Sequence, residues 1–144
     1  MAGDTSFLGR GWSFPPEFTK PLGLPQALGA VMVEGVADIE QSIGLILSTS
    51  PGERIMEPKF GCPLADFMFR NIDVSVKALI EDKVRAALLC FEPRISVDAA
   101  TVDASAAAEG RLEIGIEYRV RTTNSRHNMV YPFSLGEGTL LQLP

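Results

Sequence analysis

FEPRISVDAATVDASAAAEGRLEIGIEYRV, residues 91–120, is the stretch in which the apolar period of this chain changes. Upstream of it the apolar positions recur every three or four residues, the period of a helix face. Downstream they recur every second residue. Pro93 marks the corner, because proline biases the residue before it away from helix. Ile95, Val97 and Ala99 alternate, DASAAAEG makes a turn of small and polar residues, and a second alternating run follows. In that run Leu112, Ile114, Ile116, Tyr118 and Val120 face one way, and Arg111, Glu113, Glu117, Arg119 and Arg121 the other. One apolar and one charged face predict a strand of an antiparallel sheet with one buried side.

Working outward, TTNSRHN reads as a loop, and Met129, Tyr131 and Phe133 begin a third strand. Pro132 lacks a backbone donor, which places that strand at an edge or gives it a bulge. Upstream, Val76, Ile80, Val84, Ala87 and Leu88 form one face of a helix over Asp73 to Cys90, with Asp73 suited to cap its first amides. An earlier helix is predicted over Gly35 to Ser50, from Val36, Ile39, Ile43, Ile46 and Leu47. Pro51-Gly52 ends it. A short helical turn is expected over Leu64 to Arg70.

Residues 1–30 carry Phe7, Trp12, Phe14, Pro15, Pro16, Phe18, Pro21 and Pro25, which predicts an extended or irregular arm that packs on its own domain or a neighbour. The expected architecture is α+β: two main helices on an antiparallel sheet of about three strands in residues 31–144, preceded by the arm.

At 144 residues the chain is one ordinary domain in length, able to bury roughly 68–70% of its unfolded surface. With 46% apolar and 22% charged residues it has the balance of a folded soluble protein. Its net charge of −5 argues against nucleic acid and anionic membrane surfaces as partners. Cys62 and Cys90 are too few for a disulfide scaffold or a zinc site and read as free thiols. The N-terminal residues lack the pattern of a signal peptide, and no run reaches the ~18 apolar residues of a membrane span. A cytoplasmic site of synthesis is expected.

Catalytic motifs are scarce. His127, the single histidine, is expected in a polar loop, and one histidine cannot make a multi-histidine metal site. No nucleophile elbow, phosphate-binding loop or metalloprotease helix is present. Glycoside hydrolysis needs only two carboxylates, and Glu40, Glu53, Glu57 and Glu92 are candidates. Arg54 beside Glu53 and Arg94 close to Glu92 would favour the charged form, which is wrong for a general acid. No catalytic residue, cofactor or metal is assigned.

The same residues suit architecture. In STSPGERIMEPKFGCPL, residues 48–64, Gly52 and Gly61 permit backbone angles other residues avoid. Arg54 can tie loop carbonyls or a carboxylate together, and Phe60 can anchor the loop into the core. Glu92 and Arg94 flank the corner proline, where they could pair with each other, cap backbone groups or point at a partner.

Taken in order, Thr49, Gly52-Glu53-Arg54, Pro58-Lys59-Phe60-Gly61 and then Glu92-Pro93-Arg94 resemble the small baseplate wedge family of contractile tails. That family is also called the sheath initiator and often labelled tail lysozyme-like. It occurs in contractile phages, type VI secretion systems and extracellular contractile injection systems, and the likeness covers roughly residues 35–122. The resemblance implies a structural protein whose Glu92, Pro93 and Arg94 contact the larger wedge subunits. It also implies that the sheet starts the sheath by strand addition, with six copies in a ring and the inner tube or hub left open as a further partner. Gly52, Glu53, Arg54, Pro58, Phe60 and Gly61 would be the structural loop. The alternative carried by the label is a peptidoglycan-cleaving, lysozyme-like hydrolase.

Overall fold

The computed structural model describes residues 8–19, 29–67 and 70–134, in two compact units, Met1–Ser42 and Ile43–Pro144. The first is a nested antiparallel ribbon that leads into a helix. β1 (Arg10–Trp12) pairs with β4 (Met32–Glu34), and β2 (Phe18–Thr19) pairs with β3 (Gly29–Ala30). Between the two short ladders, Ser13 N–H donates to Val31 O at 2.9 Å and Val31 N–H to Glu17 O at 2.8 Å. The chain therefore runs out and back on itself, where the proline content predicts an extended arm. Prolines 15 and 16 fall between β1 and β2, outside both ladders, so the missing donors cost no ladder bond. Phe7, Pro21 and Pro25 lie outside the described residues. Trp12 and Phe18 are exposed and meet edge to face, their centroids 6.2 Å apart.

α1 (Gly35–Ser48) follows β4 directly and crosses the boundary between the units. Gly35 has φ 67°, a left-handed angle open to glycine, and it turns the strand into the helix. Ile39, Ile43, Ile46 and Leu47 are buried at the expected spacing. The helix ends at Ser48, two residues before Ser50; the Thr49 N–H and hydroxyl both donate to the Leu45 carbonyl and complete its last turn.

In the second unit a short 3-10 turn (Leu64–Phe67) precedes α2 (Val74–Phe91), β5 (Ile95–Asp103), β6 (Arg111–Val120) and β7 (Ser125–Ser134). Asp73 caps α2, its carboxylate accepting the Val76 N–H at 2.8 Å. The sheet is antiparallel in the order β5-β6-β7. The fold is α+β, with α2 against β5. All five apolar residues of β6 are buried, each contributing about 2 kcal/mol relative to exposure. Ile80, Val84, Ala87 and Leu88 of α2 close the core from the helix side.

Two strands differ from expectation. β5 continues to Asp103 and carries a bulge: Val97 pairs with Tyr118 but Ala99 pairs with Glu117, leaving Asp98 as the extra residue. The alternation changes phase there, so Ala100 and Val102 are buried in place of Ala99. β7 begins at Ser125, so His127 is a strand residue and not a loop residue. It is paired with Tyr118 and stacked on that ring at 5.6 Å. The loop shrinks to Arg121–Asn124, with Asn124 at φ 53°. Asparagine tolerates that angle better than most residues.

Candidate functional site

Between α1 and the 3-10 turn the chain forms a loop held mostly by its own backbone. Gly52 N–H donates to Pro58 O at 2.8 Å, Glu53 N–H to Ser50 O at 3.1 Å and Phe60 N–H to Glu57 O at 3.1 Å. Gly52 and Gly61 have φ of 95° and 119°. At Gly61 a side chain would also run into the Thr49 carbonyl, the group that accepts the Cys62 N–H at 3.0 Å. Arg54 lies with its guanidinium carbon 4.1 Å from the centroid of Phe60, a cation–π arrangement, and not among the loop carbonyls. Phe60 is half-buried and packs on Phe91, with centroids 5.1 Å apart. The loop thus rests on the last residue of α2. At its far end Ile55 and Met56 are 93% and 90% exposed.

Phe91 leads into the corner. Glu92 is 2% exposed, and its two carboxylate oxygens accept from Arg94 Nε at 2.7 Å and from an Arg94 terminal nitrogen at 2.8 Å. This two-pronged pair is the strong form of a charged hydrogen bond. The Glu92 N–H donates to Leu88 O, so the residue that ends the helix also fixes the arginine. Of the three corner residues, Pro93 is exposed, and Arg94 retains 29% of its side-chain surface. Glu92 is almost wholly buried beneath Arg94. Loop and corner are joined through the Phe60–Phe91 contact.

None of the carboxylates weighed for hydrolysis has the setting of a general acid. Glu53 and Glu57 lie on the exposed loop, Glu40 is half-buried on α1, and Glu92 is already held by two donors. A general acid needs an apolar pocket and a free oxygen aimed at its substrate, and both Glu92 oxygens are engaged by Arg94. Cys62 and Cys90 are free, the first buried and the second exposed. No group of three metal-ligating side chains occurs among the described residues, and no helix there is long and apolar enough to cross a membrane.

Sequence reasoning did not find the groups that finish the sheet's edges. Glu81 of α2 accepts the Val102 N–H at 3.0 Å, covering part of the free edge of β5. On β7 the edge away from β6 carries no strand among the described residues. Polar residues at helical spacing signalled a solvated face of α2, and only the three-dimensional register shows that one of them caps a strand.

Several known proteins are similar to this chain in sequence and fold. A structure from Geobacter sulfurreducens that bears the name tail lysozyme is 50% identical, with a TM-score of 0.67 over 72% of this chain and 94% of that one. The baseplate of the anti-feeding prophage contains a chain 25% identical, with a TM-score of 0.61 over 91% of this chain and 89% of that one. Baseplate wedge protein gp25 of Enterobacteria phage T4 is 34% identical over 61 residues, 42% of this chain and 46% of that relative, so the match spans about half of the latter's length. Fold and relatives together place the chain among baseplate wedge proteins of contractile tails. Residues 33–125, which contain the whole loop and corner, match the family described as Baseplate wedge protein gp25, and the chain belongs to that family.

Proposed function

We propose that this protein is a non-enzymatic baseplate scaffold that joins the larger wedge subunits through the Glu92–Arg94 corner and starts the sheath at the free edge of β7. The observation that carries the reading is the corner itself. A buried carboxylate holds an arginine whose remaining surface, with Pro93, faces outward at the base of a stiff loop. Preorganising a side chain in this way lowers the entropy lost on docking. The β7 edge suits strand addition, in which backbone hydrogen bonds supply affinity and alternate side chains supply specificity. Assembly in the cytoplasm, six copies in a ring and contact with the inner tube or hub belong to the same reading.

The structure also shapes the test. Arg94→Glu would set a second carboxylate against buried Glu92 and destabilise the chain, so lost assembly would be ambiguous. Arg94→Lys keeps the charge and loses the planar fork. Tagged protein co-expressed with its operon is expected to bring down large wedge chains and sheath, and the lysine variant to lose the wedge chains while keeping its circular dichroism. Full wedge recovery with Arg94→Lys would remove the corner from the interface. Recovery of the tagged chain alone would overturn the scaffold.

A further inference from the structure

The solvent face of the sheet holds a charge arrangement that its core does not need. Arg119 on β6 and Arg126 on β7 are register partners, so two guanidinium groups rise from directly opposed positions on one face. Like charges placed opposite each other weaken strand pairing. Asp98, the bulge residue, relieves this only in part: its Oδ2 lies 3.6 Å from a terminal nitrogen of Arg119 and 3.9 Å from Arg126 Nε. Arg121 joins them from the turn, its Nε donating to Ile95 O at 3.1 Å and its backbone N–H to Arg94 O at 3.0 Å.

Arginines therefore gather where β6 turns into β7, beside the corner, in a chain whose net charge is −5. Glu117, one pleat further along β6, is the next carboxylate on that face. The far end of the sheet has the opposite character, with Asp103, Glu109 and Glu113 around Arg111. Arg126 is 76% exposed with a single loose ionic contact, and Arg121 is exposed with no carboxylate within 4 Å among the described residues. Each carries a planar fork of N–H donors of the kind that grips a carboxylate two-pronged.

We infer that Arg126, paired loosely with Asp98 opposite Arg119, and Arg121, tied to Ile95 O, form a receptor for the carboxylates of an acidic segment of another protein chain. The interleaved acids decide the partner's chemistry. A continuous phosphate backbone crossing this face would meet Asp98 and Glu117 as well as the arginines, and then the acidic far end of the sheet. Separate carboxylates can pair with separate forks and avoid both. The receptor adjoins the proposed wedge contact but uses other arginines, Arg121 and Arg126, and so does not depend on it.

The test is a titration of the full chain, 15N-labelled, with a ten-residue oligoglutamate, following the arginine Nε–H resonances. A single-stranded oligonucleotide of equal charge and a salt series run in parallel. The expected result is that oligoglutamate moves the Arg121 and Arg126 signals more than that of Arg111, an equally exposed arginine at the other end. Affinity should fall about tenfold in Arg121→Gln/Arg126→Gln. Unmoved signals, or an oligonucleotide that binds as tightly as oligoglutamate, would overturn the proposal. So would shifts that grow with protein concentration alone, which would assign the arginine end to a second copy of this chain. Because no baseplate chain is present, the outcome is separate from that of the Arg94→Lys experiment.

Discussion

At the scale of single residues, two glycines in one loop separate backbone strain from steric room. Both hold left-handed φ values that disfavour a Cβ, by about 1 kcal/mol or more. Around Gly52 no atom lies where a Cβ would meet it, whereas at Gly61 the Thr49 carbonyl occupies that space. Gly52→Ala should therefore cost only the strain, about 1 kcal/mol. Gly61→Ala should cost about 3 kcal/mol, because the loop backbone must also move off Thr49 and weaken the Cys62–Thr49 hydrogen bond. Urea midpoints of the two variants measure the difference, and equal losses would show that the Thr49 approach is slack. Arg54 makes a related point. The sequence marks it as a donor to carbonyls, yet it lies on Phe60, since an aromatic face five or more residues away along a tight loop leaves no trace in local pattern.

At the scale of elements, α2 is fixed at both ends by acidic residues with different tasks. Asp73 satisfies an amide that the first turn leaves without a helical partner, and Asp73→Ala is expected to lower stability by about 1 kcal/mol. Asp73→Asn or Asp73→Ser should recover most of that in thermal unfolding; a variant as weak as alanine would mean that the capping bond contributes little. This helix, its cap, α1 and the buried face of β6 were legible in the sequence because each is a run of ten residues or more with one clear period. β5 and β7 were not. The β5 bulge inserts Asp98 without changing composition, and it shows only when β6 supplies a register. β7 starts at the end of the sheet where both faces are polar, so Ser125 to Asn128 lack the alternation that marks a strand. The ribbon in the first unit pairs Arg10–Trp12 with Met32–Glu34 across a long separation, which local signals do not carry. At the corner, the sequence leaves open whether Glu92 and Arg94 pair with each other, and burial could not be read from it: Glu92 is buried and paired with Arg94, which keeps part of its surface.

At the scale of the whole molecule, one thiol reports on how the second unit closes. Burial pushes Cys62 up to about 12, with Lys83 of α2 pulling weakly the other way. Burial also raises Tyr131 of β7, and the neighbouring Cys62 adds to that rise. Charges on α2 and β7 are thus felt at Cys62, a buried thiol at the end of the loop whose ionisation burial opposes. In the unfolded chain the thiol ionises near its ordinary value of 9.0, and in the folded chain it does not until about 12. Between those values the unfolded state binds fewer protons, so stability falls as pH rises, by up to about 1.4 kcal/mol per pH unit from this group alone. Below about pH 9 the contribution is fully present. Tyr131 adds a loss of the same sign above about pH 10. Cys62→Ala removes the thiol and leaves the tyrosine, so urea unfolding from about pH 8 to about pH 10.5 should give a flatter decline for the variant from a lower starting stability. Parallel curves would mean that Cys62 ionises as readily folded as unfolded, and hence that water reaches the junction of loop, helix and sheet on which the corner and the β7 edge both depend.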